Sequence, residues 1–337
     1  MIITTGANGF IGSNAVADLV ARGGEVVAVD DYPSIRGCGA VTHPCAEVRY
    51  NRDAAVAVYV DMEDLAAWLS QQGNAITGVV HLGACSDTTV TDRDYVMRVN
   101  TEYTRTLWRW CTETGTPFVY ASSAATYGDG SQGFDDEADP RRYKPMNLYG
   151  ESKHIFDLWA LEQTQTPPRW AGLKYFNIYG PNESHKGRMA SMAYHWFHQI
   201  RNTGRARLFK SYRPEYPDGG QMRDFCYVKD AVAVTLNLLT LPASDTAPNG
   251  LYNVGTGQPR TFADLARAVF TALEMEPVLE YIEMPADLRN QYQYYTAATV
   301  AKRERAGLLD RLFATLEEGV RAYVQHLLAA EPESKPA

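Results

Sequence analysis

Met1-Ile2-Ile3-Thr4-Thr5-Gly6-Ala7-Asn8-Gly9-Phe10-Ile11-Gly12 is the stretch on which the reading of the fold turns. Residues 1–5 are apolar and β-branched, as a buried strand requires, and the apolar periodicity over Ile11–Val20 predicts a helix. Between them Gly6, Gly9 and Gly12 are spaced GxxGxxG. One glycine permits the tight turn, another lets backbone N–H groups approach a pyrophosphate, and the third allows close helix–strand packing. Glycine spacing alone also describes an ordinary strand–helix turn. Its place at the chain start, with Asp30 closing a second strand candidate, Glu25–Val29, favours a dinucleotide site. Asp30 is placed for the adenosine ribose hydroxyls. Asp30 and Asp31 together would repel a 2′-phosphate, which favours NAD, while Arg36 is near enough in sequence to keep NADP open; Asp31 suits a solvent-facing turn equally well.

Working outward, Ile76–Leu82, Thr116–Ser122 and, more weakly, Gly172–Phe176 read as further buried strands. Helical periodicity falls between them at Leu65–Gln71, Tyr95–Thr112 and Gly150–Leu161. This alternation predicts an α/β protein with a Rossmann-type, doubly wound parallel sheet. After about residue 180 the texture changes to Tyr, Arg, His, Pro and Gly, with helices near Met189–Arg201, Phe262–Leu273 and Leu312–Leu328. The expected division is a dinucleotide-binding domain over 1–180, to which later segments return, and a smaller α/β substrate domain over 181–337. The tail, Glu331–Ala337, reads as frayed.

Composition narrows the class. The 337 residues are 45% hydrophobic and 21% charged, the balance of a globular protein. A net charge of −8 without a long basic run disfavours nucleic-acid binding. The cysteines, 38, 45, 85, 111 and 226, contain no CxxC, so neither a disulfide framework nor a metal site is suggested. No apolar run approaches the roughly 20 residues that span a bilayer. The first residues carry no charged leader, so a cytoplasmic enzyme is expected.

Tyr149 and Lys153 form a YxxxK pair whose members share one helix face. A neighbouring ammonium and a nicotinamide charge both favour the phenolate, so the tyrosine could take a proton near neutral pH, with Lys153 also on the nicotinamide ribose. Alone, the pair describes many surface helices. Upstream, Tyr120–Gly128 (YASSAATYG) is a strand end rich in small hydroxyl residues, where Ser122 or Ser123 can polarise a substrate oxygen. The order of glycine turn, serine and YxxxK is strong in combination.

On these motifs the chain resembles the extended short-chain dehydrogenase/reductase family, in its sugar-nucleotide-modifying branch. The further segments HLGACSDTT (81–89), NLYGESK (147–153), YFNIYGPNESHKGRMASMAYH (175–195), RDFCYV (223–228) and LRNQYQYYT (288–296) resemble epimerases acting at C6 of an ADP-linked heptose. HKGxMAS is far more specific than any glycine pattern. The resemblance implies a tightly held, recycled NADP, with NAD as the alternative. It also implies an ADP-heptose substrate for lipopolysaccharide core synthesis and a homo-oligomer, a pentamer by analogy. Phe10, Ile11, Asp30 and Asp31 would line the adenosine side, and Leu82, Gly83, Ala84, Cys85 and Ser86 the middle of the cofactor, with Asn100 and Ile178 beside it. Tyr149 and Lys186 would be the acid/base pair. Asn177, Arg188, His195, Phe209, Arg223 and Tyr292 would hold the sugar nucleotide. Arg188 departs from the small hydroxyl residue expected there, the segment 210–222 is longer, and the loop after Asp31 lacks a matching lysine for a 2′-phosphate.

Two proton donors suit this chemistry. An unactivated secondary carbinol is inverted by oxidation to a ketone and return of the same hydride to its other face. Rotation about C5–C6 moves the oxygen, so one fixed acid/base serves both orientations poorly; a phosphate anchor is the competing reading of Lys186. His81, His185 and His198 read as structural histidines and Cys85 as a packing residue. A dehydratase would want an acid after Thr126, where Tyr127 stands. Other epimerases, a reductase and a non-catalytic dinucleotide sensor remain the alternatives, the last disfavoured by an intact YxxxK.

Overall fold

The computed structural model describes residues 1–72, 75–289, 292–308 and 313–330. The chain divides into two compact units. The first comprises Met1–Tyr175, Val232–Asn253 and Ala301–Asp310, the second Phe176–Ala231, Val254–Val300 and Arg311–Ala337. The tail from 331 and residue 312 of the expected last helix lie outside the described residues.

In the first unit the order is β1 (Ile2–Thr5), α1 (Phe10–Ala21), β2 (Val26–Asp30), β3 (Val58–Asp61), α2 (Leu65–Leu69), β4 (Gly78–His81), α3 (Arg93–Met97), α4 (Tyr103–Thr114), β5 (Phe118–Ser123), α5 (Leu148–Glu162) and β6 (Trp170–Tyr175). A seven-stranded sheet runs β11-β6-β5-β4-β1-β2-β3, where β11 is Gly250–Val254. From β6 to β3 every neighbouring pair is parallel. The order reverses between β1 and β4, the point at which open α/β sheets bind ligands beyond their carboxyl edges. The strands are nearly continuous Val, Ile and aromatic runs because both faces are covered. Trp108 of α4 fills the centre of this core, edge-on to Phe118, Phe156, Trp159 and Trp170 at 5.0–6.0 Å.

The second unit contains β7 (Asn177–Tyr179), α6 (Met192–Thr203), β8 (Ala206–Phe209), β9 (Met222–Arg223) and β10 (Phe225–Tyr227). Next, α7 (Val228–Thr240) passes into the first unit. Then β12 (Arg260–Thr261), α8 (Phe262–Ala272), β13 (Leu279–Ile282) and α9 (Ala286–Arg289) belong to the second unit, α10 (Ala301–Arg305) to the first, and α11 (Leu316–Ala330) to the second. Three two-stranded ribbons, β10-β7, β12-β9 and β13-β8, replace a large sheet. Trp196, Phe197, Ile200, Leu265, Phe270, Val320 and Tyr323 make its core, which is helical on α6, α8 and α11. A capping box at Thr261 and Asp264 starts α8.

Candidate active site

The glycine turn takes the form its spacing implies. Gly6 has φ +66°, and a Cβ there would lie 2.7 Å from the Gly83 nitrogen; a Cβ on Gly12 would fall 1.9 Å from the Gly6 carbonyl oxygen. Neither position has room for a side chain. A Cβ on Gly9 would meet only the Gly6 backbone, at 3.1 Å or more, so this side of the turn is open. The helix α1 begins without a side-chain cap, as a helix end that receives an external anion does. Phe10 is buried and Ile11 half-buried. Asp30 accepts the Asn8 N–H on one oxygen and the Asp31 N–H on the other, both at 2.8 Å, which ties the end of β2 to the turn. Asp31 is exposed and pairs with Arg36.

Leu82–Ser86 follow β4, directly across the switch point from the turn. Asn100 was expected beside the cofactor, but its amide is committed to the protein. It accepts the Cys85 N–H (2.8 Å) and donates to the Cys85 carbonyl (3.0 Å) and the Ser152 hydroxyl (2.9 Å). It therefore fastens the loop after β4 to α5. It sits in a π-helical turn, Arg98–Glu102, joining α3 to α4, a distortion common at functional sites. Beneath the loop, His81 bridges Thr5 and Thr104 (2.6 and 2.9 Å). Thr104 donates its own proton to the Asn100 carbonyl, so Nε2 of His81 is assigned the hydrogen and Nδ1 accepts from Thr5. Burial holds His81 neutral, at a pKa of about 3, with Lys153 adding repulsion.

The two serines of β5 separate. Ser122 is 1% exposed and donates to Asp157 at 2.7 Å, so it does not face a substrate. Ser123 points to the opposite strand face, as the two-residue alternation demands. It is partly exposed and lies near enough to the Tyr149 phenol to act on its titration. Of the two, only Ser123 has a side chain that is partly exposed. Asn147 caps α5 by accepting the Gly150 N–H, and this sets Tyr149 in the first turn. Burial raises the Tyr149 phenol above its ordinary value while Ser123 pulls it down. Burial is the larger of these two effects. Lys153, 3% exposed, is pushed down to about 8 by burial, opposed by the Asp157 carboxylate.

Below these groups lies a buried ion pair that the sequence reading missed. Lys174 meets Asp157 at 2.8 Å and donates to Thr126 at 2.6 Å; Asp157 also accepts Tyr120 at 2.9 Å as well as Ser122. Its signals were the alternation of Tyr120 with Ser122 and the placement of Asp157 one turn beyond Lys153.

The remaining candidates belong to the second unit. Phe209, Arg223 and Tyr292 come together: the Arg223 guanidinium lies over Tyr292 (5.3 Å) and Phe262 (5.5 Å), and Phe209 stands edge-on to Tyr292 (6.2 Å). Arg223 is 9% exposed, and burial lowers its pKa. Asn177 is exposed and Ile178 half-buried, both on β7, while Arg188 is exposed. His195 lies on α6 with its ring edge-on to Tyr194. Lys186 occupies a 3₁₀ turn, Ser184–Met189, that turns sharply at Gly187 (φ 54°). Glu183, fully buried, holds this turn by accepting the Gly180 and Ser191 N–H groups and the Ser191 hydroxyl. Burial lowers the Lys186 ammonium, with Glu183 opposing.

Strand order, glycine turn and the Ser123–Tyr149–Lys153 group together define a class, a Rossmann-type enzyme of the short-chain dehydrogenase/reductase kind that works with a nicotinamide cofactor. The model of the NAD dependent epimerase/dehydratase family matches residues 2–255, and the chain belongs to that family. It is 47% identical over 338 residues to an ADP-L-glycero-D-manno-heptose-6-epimerase of Nitratidesulfovibrio vulgaris strain DP4, covering 98% of this chain and 99% of that protein. To the protein of the same name from Fusobacterium nucleatum it is 42% identical, with 98% and 99% covered. The crystal structure of the Helicobacter pylori protein of that name shares the fold, at a TM-score of 0.76 and 24% identity over 97% of this chain and 96% of that one. No helix among the described residues is long and apolar enough to cross a membrane.

Proposed function

We propose that this enzyme interconverts ADP-D-glycero-D-manno-heptose and ADP-L-glycero-D-manno-heptose by transient oxidation at C6. The observation that carries the reading is the near-full-length similarity, at 42–47% identity, to relatives bearing that name. A nicotinamide dinucleotide, when bound, would supply the reversible hydride acceptor that this oxidation and reduction need. The open side of the glycine turn fits its pyrophosphate, with Gly6, Gly9, Phe10, Ile11 and Gly12 around it and Asp30 toward the adenosine ribose. Leu82–Ser86 would line the middle of the cofactor and Ile178 its far side.

Ser123 would hold the substrate oxygen as it becomes a carbonyl, and Tyr149, beside Ser123, would carry its proton. Lys153, depressed to about 8, is mostly cationic at neutral pH and would orient the nicotinamide ribose. Lys186 would be the second proton carrier for the rotated ketone, and its burial-lowered pKa supports that use over a plain phosphate anchor. Arg223, desolvated between aromatic rings, suits a diphosphate oxygen, with Asn177, Arg188, His195, Phe209 and Tyr292 holding the remainder of the sugar nucleotide. The reading includes a cytoplasmic homo-oligomer.

Incubation of purified protein with ADP-D-glycero-D-manno-heptose tests the reaction. Inversion at C6, seen by NMR, without net reduced nicotinamide supports it; reduced nicotinamide accumulating without inversion refutes it. Replacing Lys186 by Ala separates its two roles. Loss of a proton carrier lowers kcat on the order of 10²-fold, whereas loss of an anchor mainly raises KM.

A further inference from the structure

We propose that the ends of β2 and β3 make this a site for NAD that discriminates against the 2′-phosphate of NADP; the inference rests on the dinucleotide reading above. Asp30 and Asp61 are register partners on the two neighbouring strands, so two carboxylates stand side by side at the carboxyl edge of the sheet. The Asp30 carboxylate is aimed by its bonds to the Asn8 and Asp31 N–H groups, and each oxygen retains a lone pair that a ribose hydroxyl can use. Hydroxyls at both ribose positions donate to such an acceptor. A phosphate cannot donate once ionised, and it would bring about two negative charges against Asp30 and Asp31.

The cations nearby offset this only in part. Arg36 places Nε 3.0 Å from Asp61, Nη2 2.5 Å from Asp31 and Nη1 3.7 Å from Glu63. Asp61 is 0% exposed and accepts the Tyr32 and Glu63 N–H groups besides. Turning Arg36 toward a phosphate would strip this buried carboxylate of its counter-ion. Arg36, the residue that kept NADP open in the sequence, is therefore held by three carboxylates. Arg49 is exposed and lies within Coulomb range of Asp30, which it partly offsets. Four carboxylates, Asp30, Asp31, Asp61 and Glu63, thus face two guanidiniums. Glu47, on Ser34, adds another negative charge beside the loop.

Nucleotide released from the purified, denatured full-length chain and resolved by mass spectrometry gives the first test, with NAD expected. Titration of nucleotide-stripped protein with NAD and NADP, followed calorimetrically, should show NADP weaker by about tenfold or more. Asp31→Asn removes one exposed charge and loosens Arg36, and should narrow that gap several-fold, chiefly by tightening NADP. NADP released in place of NAD, or equal affinities for the two, overturns the proposal. So does a selective loss of NADP binding in Arg49→Ala, which would make Arg49 a reader of the phosphate. Failure of the folded chain to take up either coenzyme refutes the dinucleotide site itself, and the preference with it.

Discussion

Replacing Lys174 by Met tests the buried ion pair beneath the site most directly. Met fills similar volume, so packing loss is small. The Asp157 carboxylate, 0% exposed, would then keep Tyr120 and Ser122 as donors but lose its contact ion pair, with the Lys153 charge, beyond ion-pair distance, left to offset it in part. Breaking a buried pair by removing one partner costs about 3–5 kcal/mol. Protonation sets a ceiling on that cost. Holding a carboxyl of unfolded pKa about 3.9 neutral at pH 7 takes about three pH units, or ~4 kcal/mol. The deficit should therefore be ~3–4 kcal/mol at pH 7. In the variant the folded pKa of Asp157 is raised above its unfolded value, so its relative stability rises as pH falls. At pH 5.5 the same arithmetic leaves about 2 kcal/mol. Asp157→Asn added to Lys174→Met removes the stranded charge and should recover most of the loss. Urea unfolding of wild type, the single variant and the double variant at both pH values measures each term. A deficit under about 1 kcal/mol at pH 7, or one that does not shrink on acidification, defeats the reasoning.

Other substitutions probe neighbouring parts. Ser123→Ala should lower kcat on the order of 10²-fold with little loss of stability. Ser122→Ala should instead cost about 1–2 kcal/mol of stability through Asp157, with kcat less affected; steady-state kinetics and melts on both would expose a reversed pattern. His81, depressed from 6.5 to about 3, contributes stability that is complete above pH 6.5 and lost as pH falls below it. That loss is about 2 kcal/mol by pH 5, and His81→Asn should flatten this slope in denaturant titrations. Gly12→Ala forces a methyl onto the Gly6 carbonyl and should destabilise by about 1–3 kcal/mol while abolishing coenzyme uptake, read by calorimetry.

The parts legible in the sequence were those determined by local chemistry. The strand at residues 2–5, the glycine spacing and α1 are set within a dozen residues, and each lies where the pattern puts it. Strand β3 was missed because Val58–Asp61 is short and follows a polar stretch without periodicity; only its pairing with β2 makes it a strand. Adjacent serines could not be told apart by type, yet strand alternation sends Ser122 into Asp157 and Ser123 toward Tyr149. The same long-range origin explains Asn100: a helix pattern over Tyr95–Thr112 gives no sign of a π turn that swings an amide onto Cys85 and Ser152. Arg36 shows the limit most sharply, since proximity to Asp31 was visible while Asp61, 25 residues away, was not.

The amide of Asn100 has a mechanical consequence. One planar group grips the strand-end loop with a donor and an acceptor and grips α5 with its second hydrogen. The loop after β4 and the first turns of α5 are therefore coupled, so that a shift of one carries the other. A hydride-transfer distance set between them would owe part of its constancy to this one three-point rivet.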